Sequence, residues 1–386
     1  MTASPQKHPY EAVRDELRQG ERWRFLRTWE GAGGVFTHEG RRYLNFSSND
    51  YLGLSGHPAL AAAVTEVMKT QGCGATASRL MSGNLSIHDS LEADLADLMG
   101  REHALVFPSG YQANVGVLTS LAGKGDQIFS DALNHASLID GARLSRAKIQ
   151  VYRHNDMEHL AALLEDGGTE GRRVIVTDSV FSMDGDVAPL RALSALAARH
   201  DAVLVVDEAH AVGIWGGGGG VSRALGVKPD VLTGTLGKAL GSGGGFVACD
   251  GVYRDLLINR ARSFIYSTGV SPMNGAAARA AVGMLREDPT RGATLLARAA
   301  QFQTLLVERG VDVVVGETQI LPVMVGDERR VMDYAAQLLD AGLIVTGIRP
   351  PTVPEGTSRL RFSVTLGHDL PVLEEAADVI ARVLVG

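Results

Sequence analysis

The sequence lacks the features that would place it in several specialised classes of protein. Its 386 residues include two cysteines, Cys73 and Cys249, which are too few for a disulfide framework or a cysteine-rich zinc site. No stretch approaches 18 consecutive apolar residues, so a transmembrane helix is excluded. The N-terminus has no apolar segment of the kind that a secretory signal needs. These absences predict a globular protein of a reducing, cytoplasmic compartment.

A large excess of charge of one sign is also missing. The chain has 37 Lys and Arg against 44 Asp and Glu, a formal net charge of −7, whereas a nucleic-acid binder needs a basic surface. Hydrophobic residues make up 45% and charged residues 21%, which excludes a disordered chain. At about 150 residues per domain, this length predicts two to three domains.

Residues 1–57 form a predicted N-terminal segment. A polar stretch at 10–26 predicts a helix, and two alternating runs at 35–37 and 42–46 predict a small hairpin. The stretch 47–54 is polar and then turn-like, which makes it a candidate site loop.

Residues 58–285 alternate between short apolar runs and helical stretches. Helices are predicted at 88–99, 156–165 and 189–200. Strands are predicted at 104–107, 127–131, 149–152, 174–178, 203–207, 231–235 and 245–248. Because this alternation is typical of a sheet covered by helices on both faces, the region predicts a large α/β domain with a mostly parallel sheet.

Residues 286–386 have a different pattern, which predicts a smaller α+β domain. Helices are predicted at 292–309, 328–341 and 371–384. Strands are predicted near 311–315, 320–325, 343–348 and 358–364. No linker rich in Pro, Gly or Ser precedes this region, so we expect the two domains to pack closely.

Reactive residues follow several of the predicted strands. Asp207 ends one strand and His210 follows it, Lys238 follows the next strand, and His135 follows another. The strand at 104–107 leads into a helix that begins near Ser109. Because ligands bind outside the carboxyl ends of strands in open α/β sheets, we expect these groups to converge on one site.

The residue types at this site indicate a particular cofactor chemistry. An exposed helix N-terminus at 109–112 suits a phosphate group. Lys238, beside the glycine run 241–245, suits a Schiff base to a crowded cofactor. Asp207 at a strand end suits the pyridinium nitrogen of pyridoxal phosphate, which it keeps protonated.

Seven stretches of the chain, in the same order, resemble the α-oxoamine synthases. These are pyridoxal phosphate enzymes of fold-type I, the aspartate aminotransferase-like class. The matching stretches lie at 45–54, 130–147, 154–156, 180–186, 206–213, 234–241 and 348–365. The resemblance spans nearly the whole chain and implies a large domain with a mostly parallel sheet plus a smaller C-terminal α+β domain.

The resemblance implies a role for each residue of the predicted cofactor site. Lys238 would hold pyridoxal phosphate covalently and move a proton at the substrate Cα, and Asp207 would pair with the ring nitrogen. His135 would stack on the ring, in contact with cofactor and substrate. Contacts to the phenolic oxygen are implied for Ser182 and His210. Contacts to phosphate are implied for Gly110, Tyr111 and Thr235, and, toward the partner subunit's cofactor, for Ser267 and Thr268.

Substrate contacts are implied in the same way. Arg361 would bind the amino-acid carboxylate with Asn49 nearby, and Thr352 would lie along the acyl chain. An N-terminal arginine contacts the acyl substrate in members of this family. Arg24 is the preferred candidate among Arg22, Arg24 and Arg27. His57, His88 and His154 are predicted to be structural.

The resemblance implies a decarboxylating condensation of an amino acid with an acyl thioester in a homodimer with shared active sites. The stretch 348–354 favours L-alanine with a pimeloyl thioester, whose carrier is CoA or acyl carrier protein. The pair Asp207 and Glu208, where Asp-Asp is commoner among members using alanine, keeps glycine and serine open. Two rivals from other classes are a pyridoxal phosphate aminotransferase or lyase and a non-catalytic binding protein.

Overall fold

A computed structural model describes residues 8–19, 23–168 and 170–386. The helices are α1 Glu11–Gln19, α2 Pro58–Gln71, α3 Ser86–Met99, α4 Gly110–Leu121, α5 Ala136–Ser145, α6 Met157–Asp166, α7 Leu190–Arg199, α8 Gly220–Leu225, α9 Gly251–Arg260, α10 Arg262–Ile265, α11 Pro272–Glu287, α12 Arg291–Glu308, α13 Glu328–Asp340 and α14 Leu370–Leu384. The strands are β1 Glu30–Ala32, β2 Val35–His38, β3 Arg41–Asn45, β4 His103–Phe107, β5 Gln127–Asp131, β6 Lys148–Tyr152, β7 Arg173–Asp178, β8 Ala202–Asp207, β9 Val231–Thr235, β10 Gly245–Cys249, β11 Ile320–Gly326, β12 Leu343–Ile344, β13 Thr346–Ile348 and β14 Ser358–Ser363.

The largest sheet has seven strands in the order β4-β10-β9-β8-β7-β5-β6. β10 runs antiparallel to both of its neighbours, and the other pairings are parallel. All seven strands predicted for the large domain are confirmed, and so is the mostly parallel sheet. The parallel strands place their carboxyl ends at one edge, where Asp131, Asp178 and Asp207 all lie.

Helices cover both faces of this sheet because its strands are apolar on both sides. In β7, Val174 and Val176 belong to one buried cluster, which also contains Leu138 of α5. Ile175 between them points to the other face and belongs to a cluster with Leu193 of α7. This alternation follows from the two-residue period of a strand. The second cluster continues into the C-terminal region, so the two parts of the chain share one apolar core.

The C-terminal region contains an antiparallel three-stranded sheet in the order β11-β14-β13. The single strand predicted at 343–348 is wrong, because the structure divides it between two sheets. Leu343–Ile344 pairs in parallel with β3, whereas Thr346–Ile348 pairs with β14. The strand predicted at 311–315 is also wrong, since Val313 there makes only an isolated bridge. The predicted division of the chain into domains stays a prediction.

The N-terminal hairpin is confirmed, and β1 and β12 extend it to a four-stranded sheet. The helix predicted at 10–26 is too long, because α1 ends at Gln19 and residues 23–29 form no helix. Val13 and Leu17 of α1 are largely exposed. A short helix that buries little apolar surface gains little stability from packing, which accounts for its early end. Within the described ranges, no helix is long and apolar enough to cross a membrane.

Candidate active site

Lys238 lies in a tight loop between β9 and β10, at the carboxyl edge of the large sheet. The loop is closed by backbone hydrogen bonds from Gly241 N to Lys238 O and from Ser242 N to Leu236 O. Gly241 has φ +60°, and a Cβ atom there would lie 2.6 Å from Ser55 N. Glycine is therefore required at this turn. The packed loop holds the lysine side chain against the sheet edge rather than in solvent.

The amino group of Lys238 is placed among ionisable groups. Its Nζ lies 2.8 Å from Nε2 of His210. Burial lowers the pKa of Lys238 to about 8, although the negative charges of Asp207 and Asp178 oppose this effect. Burial likewise holds the pKa of His210 well below its ordinary value. An amine with this pKa is neutral, and so nucleophilic, in about a tenth of molecules at pH 7, far more often than an ordinary lysine.

Asp207 is buried and its carboxylate accepts hydrogen bonds from two neighbours. Asn114 Nδ2 donates to Asp207 Oδ2 at 2.7 Å, and Ala209 N donates to Oδ1 at 2.8 Å. Asn114 Nδ2 also donates to Ser137 Oγ at 2.8 Å, and that hydroxyl lies 2.7 Å from His135 Nδ1. Hydrogen bonds through Asn114 and Ser137 therefore connect Asp207, the predicted partner of the ring nitrogen, with His135, which is predicted to stack on the ring. The sequence analysis missed Asn114, which faces the site from α4.

Asp178 is a second buried carboxyl group beside Asp207. The two residues are direct partners in the pairing of β7 with β8. Burial and the charge of Asp207 raise the pKa of Asp178 well above its ordinary value. Asp178 Oδ2 accepts a hydrogen bond from the backbone N of His135 at 2.7 Å. Its position at a strand end was a signal that could have marked it, but the sequence analysis gave it no role.

The start of α4 faces the loop that contains Lys238. Ser109 caps the helix by accepting a hydrogen bond from Gln112 N at 3.1 Å. First-turn N–H groups such as those of Gly110 and Tyr111 have no partner within the helix, so they remain available to an anion. A Cβ on Gly110 would lie 3.5 Å from the Thr235 Cβ. The three residues predicted to bind phosphate thus lie together.

The remaining predicted phosphate residues lie close to this helix start. Ser267 Oγ accepts a hydrogen bond from Gln112 Nε2 at 3.1 Å. Thr268 forms an isolated antiparallel bridge with Ser78. Their predicted contact with the cofactor of a partner subunit stays a prediction.

Arg361 forms a second polar cluster, which β14 brings against the N-terminal segment. Its Nη2 donates to Asn49 Oδ1 at 3.3 Å and to Tyr51 Oη at 3.2 Å. Its Nε donates to the backbone O of Ser182. The predicted carboxylate contacts Arg361 and Asn49 therefore touch one another and adjoin Ser182. Tyr51 also lies 2.7 Å from His210 Nδ1, which connects this cluster with Lys238.

Arg24 and Thr352 both line a cavity of about 810 Å³ between residues 23–29 and the C-terminal region. Arg27 lines the same cavity, whereas Arg22 lies outside the described residues. Thr352 also lines a smaller cavity of about 310 Å³, together with Phe181. Both cavities contain apolar side chains, and an apolar chain can bind in either.

His154 bridges two carboxylates at the outer part of the sheet edge. Its Nδ1 lies 2.9 Å from Asp131 Oδ1, and its Nε2 lies 2.8 Å from Asp186 Oδ2. Burial opposes protonation of the ring, but the hydrogen bonds and charges of the two carboxylates outweigh it and raise the pKa of His154 to about 10. The ring also packs edge-on against Phe181, at 4.4 Å between ring centroids. A charged His154 thus anchors the segment 181–186, which contains Ser182.

Comparisons with known proteins are consistent with this geometry. Residues 41–380 match the family Aminotransferase class I and II. An 8-amino-7-oxononanoate synthase of Geobacter sulfurreducens is 48% identical over 95% of this chain and 96% of its own. Further curated relatives that are 44% to 47% identical have the same name.

Two solved structures are similar over most of their length. One is described as SPT with its PLP internal aldimine, with TM-score 0.92 and 29% identity over 97% of each chain. The other is 8-amino-7-oxononanoate synthase from Francisella tularensis, with TM-score 0.75 and 27% identity over 88% of this chain and 97% of that one. These similarities confirm the predicted fold-type I architecture.

Proposed function

The chain belongs to the aminotransferase class I and II family, and on that premise we propose that it condenses L-alanine with a pimeloyl thioester. The products are 8-amino-7-oxononanoate, CO2 and the free thiol. The family and the names of the relatives make it a pyridoxal phosphate-dependent acyltransferase of biotin biosynthesis. The choice of amino acid and thioester rests on the names of the relatives and on the stretch 348–354.

The residues at the sheet edge fit pyridoxal phosphate. The chemistry of the donor set matches each part of the group: Lys238 for its aldehyde, Asp207 for its ring nitrogen, and the start of α4 with Thr235 for its phosphate. A Cβ on Gly245 would lie 2.3 Å from Gly110 N, so glycine at 245 allows β10 to approach the helix start. When bound, the cofactor supplies a ring that withdraws electrons from the Cα of an attached amino acid.

The single observation that carries the proposal is the connection between Lys238 and Arg361 through His210 and Tyr51. The guanidinium of Arg361 is held in place by hydrogen bonds and is suited to a carboxylate. Only His210 and Tyr51 stand between it and the amine of Lys238 in this hydrogen-bonded chain. An α-amino acid carries both an amine and a carboxylate, which are the two groups that Lys238 and Arg361 suit. As a free amine, Lys238 would be the group that removes the proton from Cα.

The remaining residues orient the reactants. Asp207, held by Asn114, would stabilise positive charge at the ring nitrogen, and His135 would cover one face of the ring. The new bond forms between the alanine Cα and the thioester carbonyl carbon, whose bond to sulfur breaks as the thiol leaves. The bond from Cα to the carboxyl group then breaks as CO2 leaves, and a proton returned by Lys238 replaces it at Cα. The acyl chain occupies a cavity lined by Thr352, and Arg24 lies at the larger of the two cavities. The active protein is a homodimer, with Ser267 and Thr268 close to the site of the partner subunit.

Substrate assays test the proposal. The purified holoenzyme is incubated with carboxyl-labelled L-alanine, glycine or L-serine, each with pimeloyl-CoA, and labelled CO2 and free thiol are measured together. We expect release of both products, in equal amounts, with alanine. If glycine or serine supports this release and alanine does not, the family assignment stands but the named activity is wrong. If no amino acid releases CO2 and transamination is found instead, the condensation is excluded.

A matched pair of lysine variants serves as the control. Lys238→Ala is expected to abolish product release. Lys228 precedes β9, at the opposite edge of the sheet, and its side chain is 67% exposed. Lys228→Ala should retain the activity of the unaltered protein, because this lysine lies far from the carboxyl ends of the strands.

A further inference from the structure

Tyr51 is a fully buried tyrosine whose hydroxyl lies among the polar side chains of His210, Asn49, Arg361 and Gln319. Its Oη lies 2.7 Å from His210 Nδ1, 3.0 Å from Asn49 Oδ1 and 3.2 Å from Arg361 Nη2. Its side chain is 0% exposed. Neither the sequence analysis nor the proposed reaction gives this hydroxyl a role. A buried hydroxyl that loses its hydrogen bonds destabilises the protein. The donors and acceptors around Tyr51 therefore indicate where its hydrogen points.

The hydroxyl has one hydrogen to donate and two candidate acceptors. Arg361 has only donors, so it donates to Tyr51 Oη. Asn49 Oδ1 already accepts from the same guanidinium at 3.3 Å. His210 Nδ1 is nearer by 0.3 Å (2.7 Å against 3.0 Å), and an imidazole nitrogen is more basic than an amide oxygen. The hydrogen of Tyr51 is therefore donated to His210 Nδ1.

The position of the remaining imidazole hydrogen follows from this. Burial, with the charges of Lys238, Arg361 and His135, holds the pKa of His210 well below its ordinary value, so the ring is neutral. A neutral imidazole carries one hydrogen, and if Nδ1 accepts, that hydrogen is on Nε2. The backbone of His210 is also held in place, because Gln319 Nε2 donates to its carbonyl oxygen at 2.9 Å.

We propose that Tyr51 is a positioning residue that holds His210 in the tautomer with its hydrogen on Nε2. This tautomer presents a donor toward Lys238 Nζ, 2.8 Å away. The inference rests on the proposed function only where the cofactor is concerned, since the phenolic oxygen of pyridoxal phosphate would lie beside the lysine that holds it. In the other tautomer a lone pair of Nε2 would face that oxygen and repel it. Through its hydroxyl, Tyr51 also links the tautomer of His210 to Arg361, which binds the substrate carboxylate.

The tautomer is measured directly by nuclear magnetic resonance. The protein is labelled with ¹⁵N-histidine, and long-range ¹H–¹⁵N spectra are recorded with cofactor bound and, for the cofactor-free protein, at pH 9, above the Lys238 pKa of about 8. The His210 signals are identified by their loss in His210→Asn. We expect a protonated Nε2 and an unprotonated Nδ1 in the unaltered protein. A hydrogen on Nδ1 would overturn the proposal.

Tyr51→Phe removes only the hydroxyl and is the decisive variant. We expect the single-tautomer pattern of His210 to be lost, with a mixed or inverted population of the two ring nitrogens. Tyr152→Phe is the matched control, because Tyr152 is also buried but lies on β6, which three strands separate from β9. It should leave the His210 spectrum unchanged. A His210 spectrum that is identical in Tyr51→Phe and the unaltered protein would contradict the inference.

A kinetic measurement separates positioning from a purely structural role. Losing one net hydrogen bond predicts a decrease of about three- to tenfold in kcat/KM for the amino acid in Tyr51→Phe. The KM for the thioester should stay within about twofold of its original value, because Tyr51 contacts neither acyl cavity. An equal effect on both substrates would argue against a positioning role. The spectra need no substrate, so a wrong assignment of the amino acid or thioester leaves the tautomer test intact.

Discussion

Glu208 Oε2 accepts a hydrogen bond from Ser179 Oγ at 2.6 Å, directly after the ends of β8 and β7. The same carboxylate accepts from Val221 N and Ser222 N at the start of α8. A Cβ on Gly220 would lie 2.7 Å from Glu208 Oε2. Glu208 therefore attaches α8 to the sheet. Because its described hydrogen bonds all serve this attachment, we expect that the Asp-Glu pair, which kept glycine and serine open in the sequence analysis, does not decide the amino acid.

Shortening this side chain tests that conclusion. In Glu208→Asp the carboxylate cannot reach Ser179 and α8 together, so buried donors lose their acceptor. We expect the free energy of unfolding to decrease by about 2 to 4 kcal/mol, measured by chemical denaturation. The relative kcat/KM values for alanine, glycine and serine should not change. A shift in amino-acid preference would show that Glu208 acts on the substrate.

His154 makes stability depend on pH in a defined direction. Its pKa is raised from an ordinary 6.5 to about 10, so the charged form favours the folded state. This contribution is fully present below pH 6.5 and is lost as the pH rises toward about 10. We expect His154→Asn to cost about 2 kcal/mol at pH 6 and progressively less toward pH 10, measured by urea denaturation.

The control for His154 is His57→Asn. His57 caps α2 by accepting a hydrogen bond from Ala59 N, and asparagine is also a favourable cap. Its stability curve against pH should run parallel to that of the unaltered protein. If the stability curve of His154→Asn is also parallel to that of the unaltered protein, Asp131 and Asp186 do not hold the ring of His154 in its charged form.

Arg361→Lys should weaken binding of the amino acid selectively. Lysine keeps the charge but cannot donate to Asn49, Tyr51 and a carboxylate with one planar group. Loss of charge-assisted hydrogen bonds predicts an increase of about 10- to 100-fold in the KM for alanine. The KM for the thioester should change by less than about twofold. Steady-state kinetics with each substrate varied in turn measure both values.

Arg298→Lys is the matched control for Arg361. Arg298 is part-buried and donates to the backbone oxygens of Leu366 and His368. We expect a loss of stability in this variant with unchanged KM for alanine. A similar rise of KM in both variants would mean that the effect of Arg361→Lys comes from general destabilisation.

Asn114 and Asp207 should differ in the size of their effect on catalysis. Asp207→Asn removes the negative charge that we propose pairs with the ring nitrogen, and we expect kcat to fall at least about 100-fold. Asn114→Ala keeps the charge and removes one hydrogen bond to it, so a decrease of about tenfold is expected. Stopped assays of product formation give both values. If Asn114→Ala has no effect on kcat, the hydrogen bond to Asp207 does not orient the carboxylate during the reaction.

The sequence alone determined the order of the main elements, the mostly parallel sheet and the class of cofactor. These follow from local patterns, since a buried strand is marked by its apolar run and a reactive residue by its place after that strand. The repeated occurrence of Asp207, His210 and Lys238 at strand ends needed no tertiary information. The same local reasoning failed in two places. The apolar run 311–315 predicted a strand, but it makes only an isolated bridge. The polar stretch 10–26 predicted one long helix, but α1 ends at Gln19.

Only the tertiary structure decided which distant residues share the site. Tyr51 and Arg361 are 310 positions apart, and their contact depends on how β14 packs against the N-terminal segment. The division of 343–348 between two sheets has the same cause, because β12 and β13 have different partners. The contact of Glu208 with α8 and the contact of Asn114 with Asp207 also depend on packing between elements. Side-chain contacts of this kind are set by three-dimensional proximity, which residue types along a single chain do not encode locally.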